Sequence, residues 1–338
     1  MKLSESLRKN IIETGIGRIV NKFHLPKRRN VMIFEEILTN YIKTSINSGH
    51  GEEMKNIAKH WAFLYIKNFL PKIITRIPNE IFLNTIMRNV WTNIGLLDNF
   101  KITRKGKIIT ITTLNEGISR EIGKNEFSQG LWSGVLSALY NSDAENIETY
   151  QYKNTCKYTF RLKDTPLNIS SKGIDRYCDF NTLHKQFSNS SFENALKSKT
   201  FVLKGNRIFF RGKPVVMGEN TLFHIIGHKG PLIEKVAEIS YECFRKIIDK
   251  TSSMERKIFF LKNMLQIFGW GQTTIFYRSN GDIIVSMKNQ PYGIQKEEDN
   301  WKFLSNVVLG YLFLCDKNYT ISKTVHRPKV LKITFNAQ

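Results

Sequence analysis

The residues best suited to binding chemistry are aromatics set beside backbone-breaking residues. Trp270 lies between Gly269 and Gly271. Glycines permit tight backbone passage there, so the indole either walls a pocket or plugs one end of a core. Asn289-Gln290-Pro291-Tyr292-Gly293 reads as a loop between a strand and a helix, which puts Tyr292 and the following Trp301 on the rim of a scaffold. With Phe276 they form the ligand-binding candidates. A second set is cationic. Lys27, Arg28 and Arg29 form a basic arm, Arg104, Lys105 and Lys107 surround a hairpin, and Arg207 and Arg211 accompany Phe209 and Phe210. Cations neutralise phosphates while neighbouring rings stack on bases. A sheet with one apolar and one solvated face produces the same alternation, so both readings stand.

Reaction chemistry finds less support. The sequence has no GxGxxG opening a βαβ unit, no GxxxxGK[ST], no HExxH and no GxSxG. His224 and His228 are four apart and Cys243 follows, but Gly227 and Gly230-Pro231 interrupt the helix that would align them, and no acidic residue completes a metal motif. Glu116 and Glu121 suggest no role by spacing. The expectation is a binding protein rather than an enzyme, with no metal site and no cofactor named.

These residues must be positioned by a chain of 338 residues, which suggests two domains. Hydrophobic residues make up 41%, enough for two packed cores, and no apolar run reaches the 18–20 residues of a membrane span. Without an N-terminal signal pattern, the expected location is the cytoplasm. Cys156, Cys178, Cys243 and Cys315 are too widely spread for a disulfide framework. The net charge of +22 would attract a polyanion, or reflects a composition rich in Lys, Asn and Ile.

A repeat organises the rest. Each half carries helical stretches ending at a glycine (Gly95, Gly269), then a hairpin, a long helix and two closing strands. Asn280-Gly281 marks the second hairpin turn. The separation from Gly106 to Gly281 equals that from Phe160 to Phe335, although a helix and two strands intervene. The expected fold is α+β: two tandem helix–helix–hairpin–helix–hairpin modules, their antiparallel sheets covered by helices. The divisions are an N-terminal helix and basic arm at 1–30, a first module at 31–163, a polar linker at 164–199 with a short helix near 180–187, and a second module at 200–338. The modules are expected to pack together, and a homodimer is open.

The stretch Arg207-Ile208-Phe209-Phe210-Arg211-Gly212-Lys213-Pro214-Val215-Val216-Met217, helices over 221–250 and 257–268, Gly269-Trp270-Gly271 and the hairpin together resemble the 4-vinyl reductase-type domain, related to the haem–nitric-oxide-binding fold. Cys156-Lys157-Tyr158-Thr159-Phe160 is similar to that family's closing Cys-x-Phe strand, but its usual preceding cysteine is missing, and the second copy has none. The resemblance implies non-enzymatic binding or sensing of a small hydrophobic molecule. The alternatives are nucleic-acid binding on a basic surface, or a scaffold without a pocket. If one site exists, the second copy is the better candidate.

Overall fold

A computed structural model describes residues 30–69, 79–93, 95–152, 154–169, 195, 198–205, 207–249, 251–288, 290–292, 300–315, 318–327 and 330–338. The N-terminal helix and arm, with Lys27, Arg28 and Arg29, lie outside these residues, as do the 180–187 helix and most of the linker.

The protein is an α+β fold with three antiparallel four-stranded sheets interleaved with helices. In the first half β1 (Asn30–Phe34) leads into α1 (Glu35–Ser45), which continues through a wide turn at Gly49 into α2 (Gly51–Phe69). Two short segments, α3 (Asn79–Phe82) and α4 (Arg88–Asn93), are joined by another wide turn. They precede β2 (Asn99–Lys105) and β3 (Ile108–Leu114). After these come α5 (Gly117–Ile122), α6 (Glu126–Tyr140), β4 (Ala144–Gln151) and β5 (Thr155–Leu162).

The second half opens with β6 (Phe201–Lys204), β7 (Arg207–Phe210) and β8 (Lys213–Glu219). It continues through α7 (Asn220–Lys229), α8 (Lys235–Phe244) and α9 (Met254–Ile267). The hairpin β9 (Gln272–Tyr277) and β10 (Ile283–Lys288), α10 (Lys302–Leu312), β11 (Tyr319–Arg327) and β12 (Val330–Ala337) complete it.

Two sheets share one plan. Their orders are β2-β3-β5-β4 and β9-β10-β12-β11. β4 bulges between Asn146 and Glu148, and β11 between Ile321 and Lys323, at the same offset that relates Phe160 to Phe335. The buried residues Ile109, Ile111 and Thr113 of β3 correspond to Ile283, Val285 and Met287 of β10, an offset shorter by one. The correspondence between the two sheets therefore slips by a single position between the two ladders. The expected helix–helix order before the hairpin needs correction. α7 and α8 are separate because Gly230 ends α7, donating its N–H to Ile226 O, and Pro231 follows. Each half thus has a strand and three helical layers ahead of its hairpin.

The third sheet, β1-β8-β7-β6, joins the halves. Met32 lies opposite Met217 in the β1–β8 ladder. Each stands three residues before its helix, α1 or α7, so like residues face each other as across a local twofold axis. β1 is buried on both faces. Its outer edge is closed by the second half: Met32 N–H donates to Phe268 O (2.8 Å) and Trp270 Nε1 donates to Met32 O (2.9 Å). An uncovered edge would leave these backbone groups unpaired.

Helix packing repeats as well. A Cβ on Gly134 of α6 would stand 2.3 Å from Lys59 O of α2, and one on Gly310 of α10 would stand 2.1 Å from Ala237 O of α8. In both halves glycine lets two helices touch backbone to backbone, and in the first half Gly130 adds a second such contact, a Cβ there standing 2.0 Å from Lys55 O. No helix among the described residues is long and apolar enough to cross a membrane.

Candidate functional site

The aromatic candidates separate into different environments. Trp270 and Tyr292 are buried and adjacent, ring centroids 6.3 Å apart, with Phe223 5.3 Å from Trp270. Trp301 is half-buried against His326 (5.4 Å), and Phe276 is exposed on the outside of β9. None of the four lines either of the two concavities described below.

The cationic candidates also diverge. Arg104 lies over the Tyr140 ring, donates to Gly106 O and approaches Glu80. Lys105 is exposed, and Lys107 pairs with Asp164 at 2.6 Å. Arg207 is drawn into a network between the halves. Glu35, buried at the start of α1, accepts from Arg120 (2.6 Å) and Arg207 (2.8 Å), and Glu121 pairs with both arginines. Paired in this way, Arg207 ties β7 to α1 and α5. Arg211 differs: it has no carboxylate partner among the described residues and stacks over Phe260 at 4.7 Å.

Arg211 is placed by a two-residue turn. Phe210 pairs with Lys213, and the intervening Arg211 and Gly212 have φ of 49° and 76°. Both positive values match the twist of a tight hairpin and tip the guanidinium toward α9. There a groove of about 610 Å³ opens between the β7 end, α9 and the segment after α8. Phe210, Phe260, Met264, Ile247 and Ile248 give it an apolar lining. Phe259 stands on its margin at 66% exposure. Arg256, on the first turn of α9, is the second arginine in the lining and also lacks a carboxylate partner among the described residues. Lys257 turns inward, its Nζ donating to Leu314 O (2.8 Å). Asp249 is the one acid on the lining, and its carboxylate accepts from Thr251 N–H in its own turn.

The second concavity lies in the first half, between α2, α4, α6 and β8. It is small, about 40 Å³. Trp61, Tyr65, Trp91 and Trp132 wall it, together with Leu96 and the carboxylate of Glu219. Glu219 caps α7, accepting from Thr221 N–H and Oγ1, and also accepts from Trp61 Nε1 (3.3 Å).

Behind this cavity Trp132 Nε1 donates to Glu116, a 2% exposed carboxylate that also accepts from Thr113 and Tyr158 hydroxyls at 2.8 and 3.0 Å. Spacing along the chain suggests no role for Glu116, because its partners come from β3, α6 and β5. Burial, reinforced by Glu116, pushes the neighbouring Cys156 thiol up, and burial pushes Cys243 up to about 12. Protonated, enclosed thiols are poor nucleophiles and poor metal ligands. His224 and His228 do share a continuous helix, with rings 6.5 Å apart, contrary to the expected interruption. Burial, then His228, His326 and His60, lowers His224 to about 3, and burial with Lys229 lowers His60 to about 4. Among the described residues no group of three or more His, Cys, Asp or Glu could hold a metal ion.

No protein-family model matches the chain, and no curated protein matches it.

Proposed function

We propose that the two halves are copies of one module, and that the second copy binds a small, mainly apolar molecule carrying an anionic group. The observation that carries this reading is the groove. Its floor is aromatic and aliphatic, its size suits a drug-sized ligand, and its two arginines lack carboxylate partners among the described residues. Apolar burial supplies most of the affinity, and the guanidinium groups fix the orientation of a carboxylate or phosphate. The resemblance to the 4-vinyl reductase-type domain, a family tied to small hydrophobic ligands, points the same way on element order.

Dodecanoate is a suitable probe, measured by calorimetric titration beside its neutral analogue dodecyl maltoside below micelle concentration. Saturable dodecanoate binding, weakened at least roughly tenfold in Arg211→Gln/Arg256→Gln, is expected from the loss of two charge-assisted contacts. Absence of dodecanoate binding, with salt-sensitive RNA or DNA retained on the purified protein, overturns the reading in favour of nucleic acid.

A further inference from the structure

The small cavity of the first half has a different chemistry from the groove. Three tryptophans and a tyrosine line it, and the charged residue in its lining is Glu219. Among the described residues no lysine or arginine lines it, in a chain of net charge +22. Aromatic faces attract cations through their quadrupoles, and a carboxylate at the edge adds a full charge of the same preference. Glu219 accepts from Trp61 Nε1 and from the Thr221 N–H and hydroxyl, so the α7 cap orients its carboxylate.

The second half shows that this arrangement is not a requirement of the module. Following the offsets fixed by the Gly95/Gly269 break, the Gly134/Gly310 contact and the Met32/Met217 pair, Leu96 corresponds to Trp270, Val135 to Tyr311 and Glu219 to Phe34. There the rings fill the space. Phe34 packs on Phe244 and Phe268, and Tyr311 on Phe244 and Phe260. In the first half these three positions leave about 40 Å³ open, walled by Trp91 and Trp132 where the same offsets give Leu265 and Val308 in the second half; one water needs roughly 10–15 Å³. That is room for roughly three waters, comparable to a methylated ammonium head. Trp61 and Leu96 are only partly buried, so the mouth lies between them.

We infer that the first half holds a site for a small alkylated ammonium ion, formed by Trp61, Tyr65, Trp91, Trp132 and Glu219. The test is a tryptophan-fluorescence titration of the full chain with choline and with 3,3-dimethylbutan-1-ol, its uncharged carbon isostere. Choline is expected to saturate and to bind roughly tenfold more tightly than the isostere, the cation–π and carboxylate contribution. Glu219→Gln narrows that ratio. Leu96→Trp, which installs the second half's residue at the mouth, removes choline binding while the thermal transition persists. Equal binding of both compounds makes the cavity merely apolar and overturns the inference. So does the absence of choline binding by the unmodified chain, or choline binding that survives in a folded Leu96→Trp variant. Should Leu96→Trp fail to fold, the choline-to-isostere ratio in the unmodified chain decides the matter.

Discussion

The two halves share a framework and differ in what fills it. Both pair a second helix with the long helix through glycine, both place a bulge at the same point of the outer strand before the last, and both start a helix directly after the strand of the shared sheet. Inside that framework the first half keeps a tryptophan-walled cavity, where the second has Trp270, Tyr311 and Phe34 packed into aromatic contacts. The buried loop position after the hairpin differs too: Glu116 in the first half becomes Gln290 in the second, at the offset that relates β3 to β10. The second half places its concavity elsewhere, on the outer side of α9, and lines it with arginine rather than glutamate. The helix contacts are alike in both halves because backbone-to-backbone approach tolerates few residues. The space between side chains is free to be filled or emptied.

The comparison breaks most visibly at Trp270. Trp270→Ala removes a buried indole and leaves Met32 O unpaired, so chemical denaturation is expected to show a loss of about 3–5 kcal/mol. Leu96→Ala, at the corresponding position beside an existing cavity and partly exposed, is expected to cost about 1–2 kcal/mol. Equal losses would mean that the two positions do the same structural job.

The shared glycines give the next effect. Gly134→Ala and Gly310→Ala raise helix propensity, but each drives a methyl into a carbonyl, so each is expected to lose about 1–3 kcal/mol. Unchanged or increased stability in either variant would show that the helices separate at no cost, and would undo the equivalence built on this contact.

The smallest effect is sensitivity to mild acid. His224 lies in α7, which packs on α2, the helix that carries His60. Both histidines have folded-state values below the ordinary 6.5, at about 3 and about 4. Folding therefore favours the neutral rings. Their stabilising contribution is complete above 6.5 and is lost as pH falls, because the unfolded chain takes up protons that the folded one refuses until about 4 to 3. His224 is expected to account for about 1 kcal/mol between pH 7 and 5.5. His60, more exposed, acts in the same direction. Denaturation midpoints at the two pH values should converge in His224→Gln; a fall of undiminished size in that variant would assign it to other groups.

Much of the framework is legible in local chemistry. Alternating β-branched residues over Ile108–Leu114, the glycine breaks and the closing phenylalanines act through local rules and correspond to observed elements. The equal spacing of Gly106 and Gly281 does not join equivalent positions, because Lys105 pairs with Ile108 across the first turn and Tyr277 with Ile283 across the longer second. The third helical layer is hidden because the apolar pattern runs on through α7 and α8 while Gly230-Pro231 divides them. The strand at Asn30–Phe34 is hidden as well. It falls where the arm meets the first module, with no strand signal of its own, and its ladder partner lies on β8 in the other half.

The site residues are less legible. Trp270 and Tyr292 stand out by their glycine and proline neighbours, which identify unusual backbone and not exposure. Arg211 stands out as a phosphate candidate, but nothing local reveals that it stacks on Phe260 above an apolar groove. Trp61, Trp91 and Trp132 sit in ordinary helical patterns, and the sequence offers no sign that they meet.

The sequence by itself determined the main secondary elements and the like order of hairpin, long helix and closing strands in the two halves, because periodicity, turn chemistry and glycine placement operate over a few residues. The tertiary structure decided which aromatic rings close space and which surround it. Trp270 finds its acceptor on Met32, at the far end of the chain's first half, and the cavity of the first half takes Met217 and Glu219 from the second. A void is set by the summed volumes of side chains from distant segments, and no local pattern records that sum.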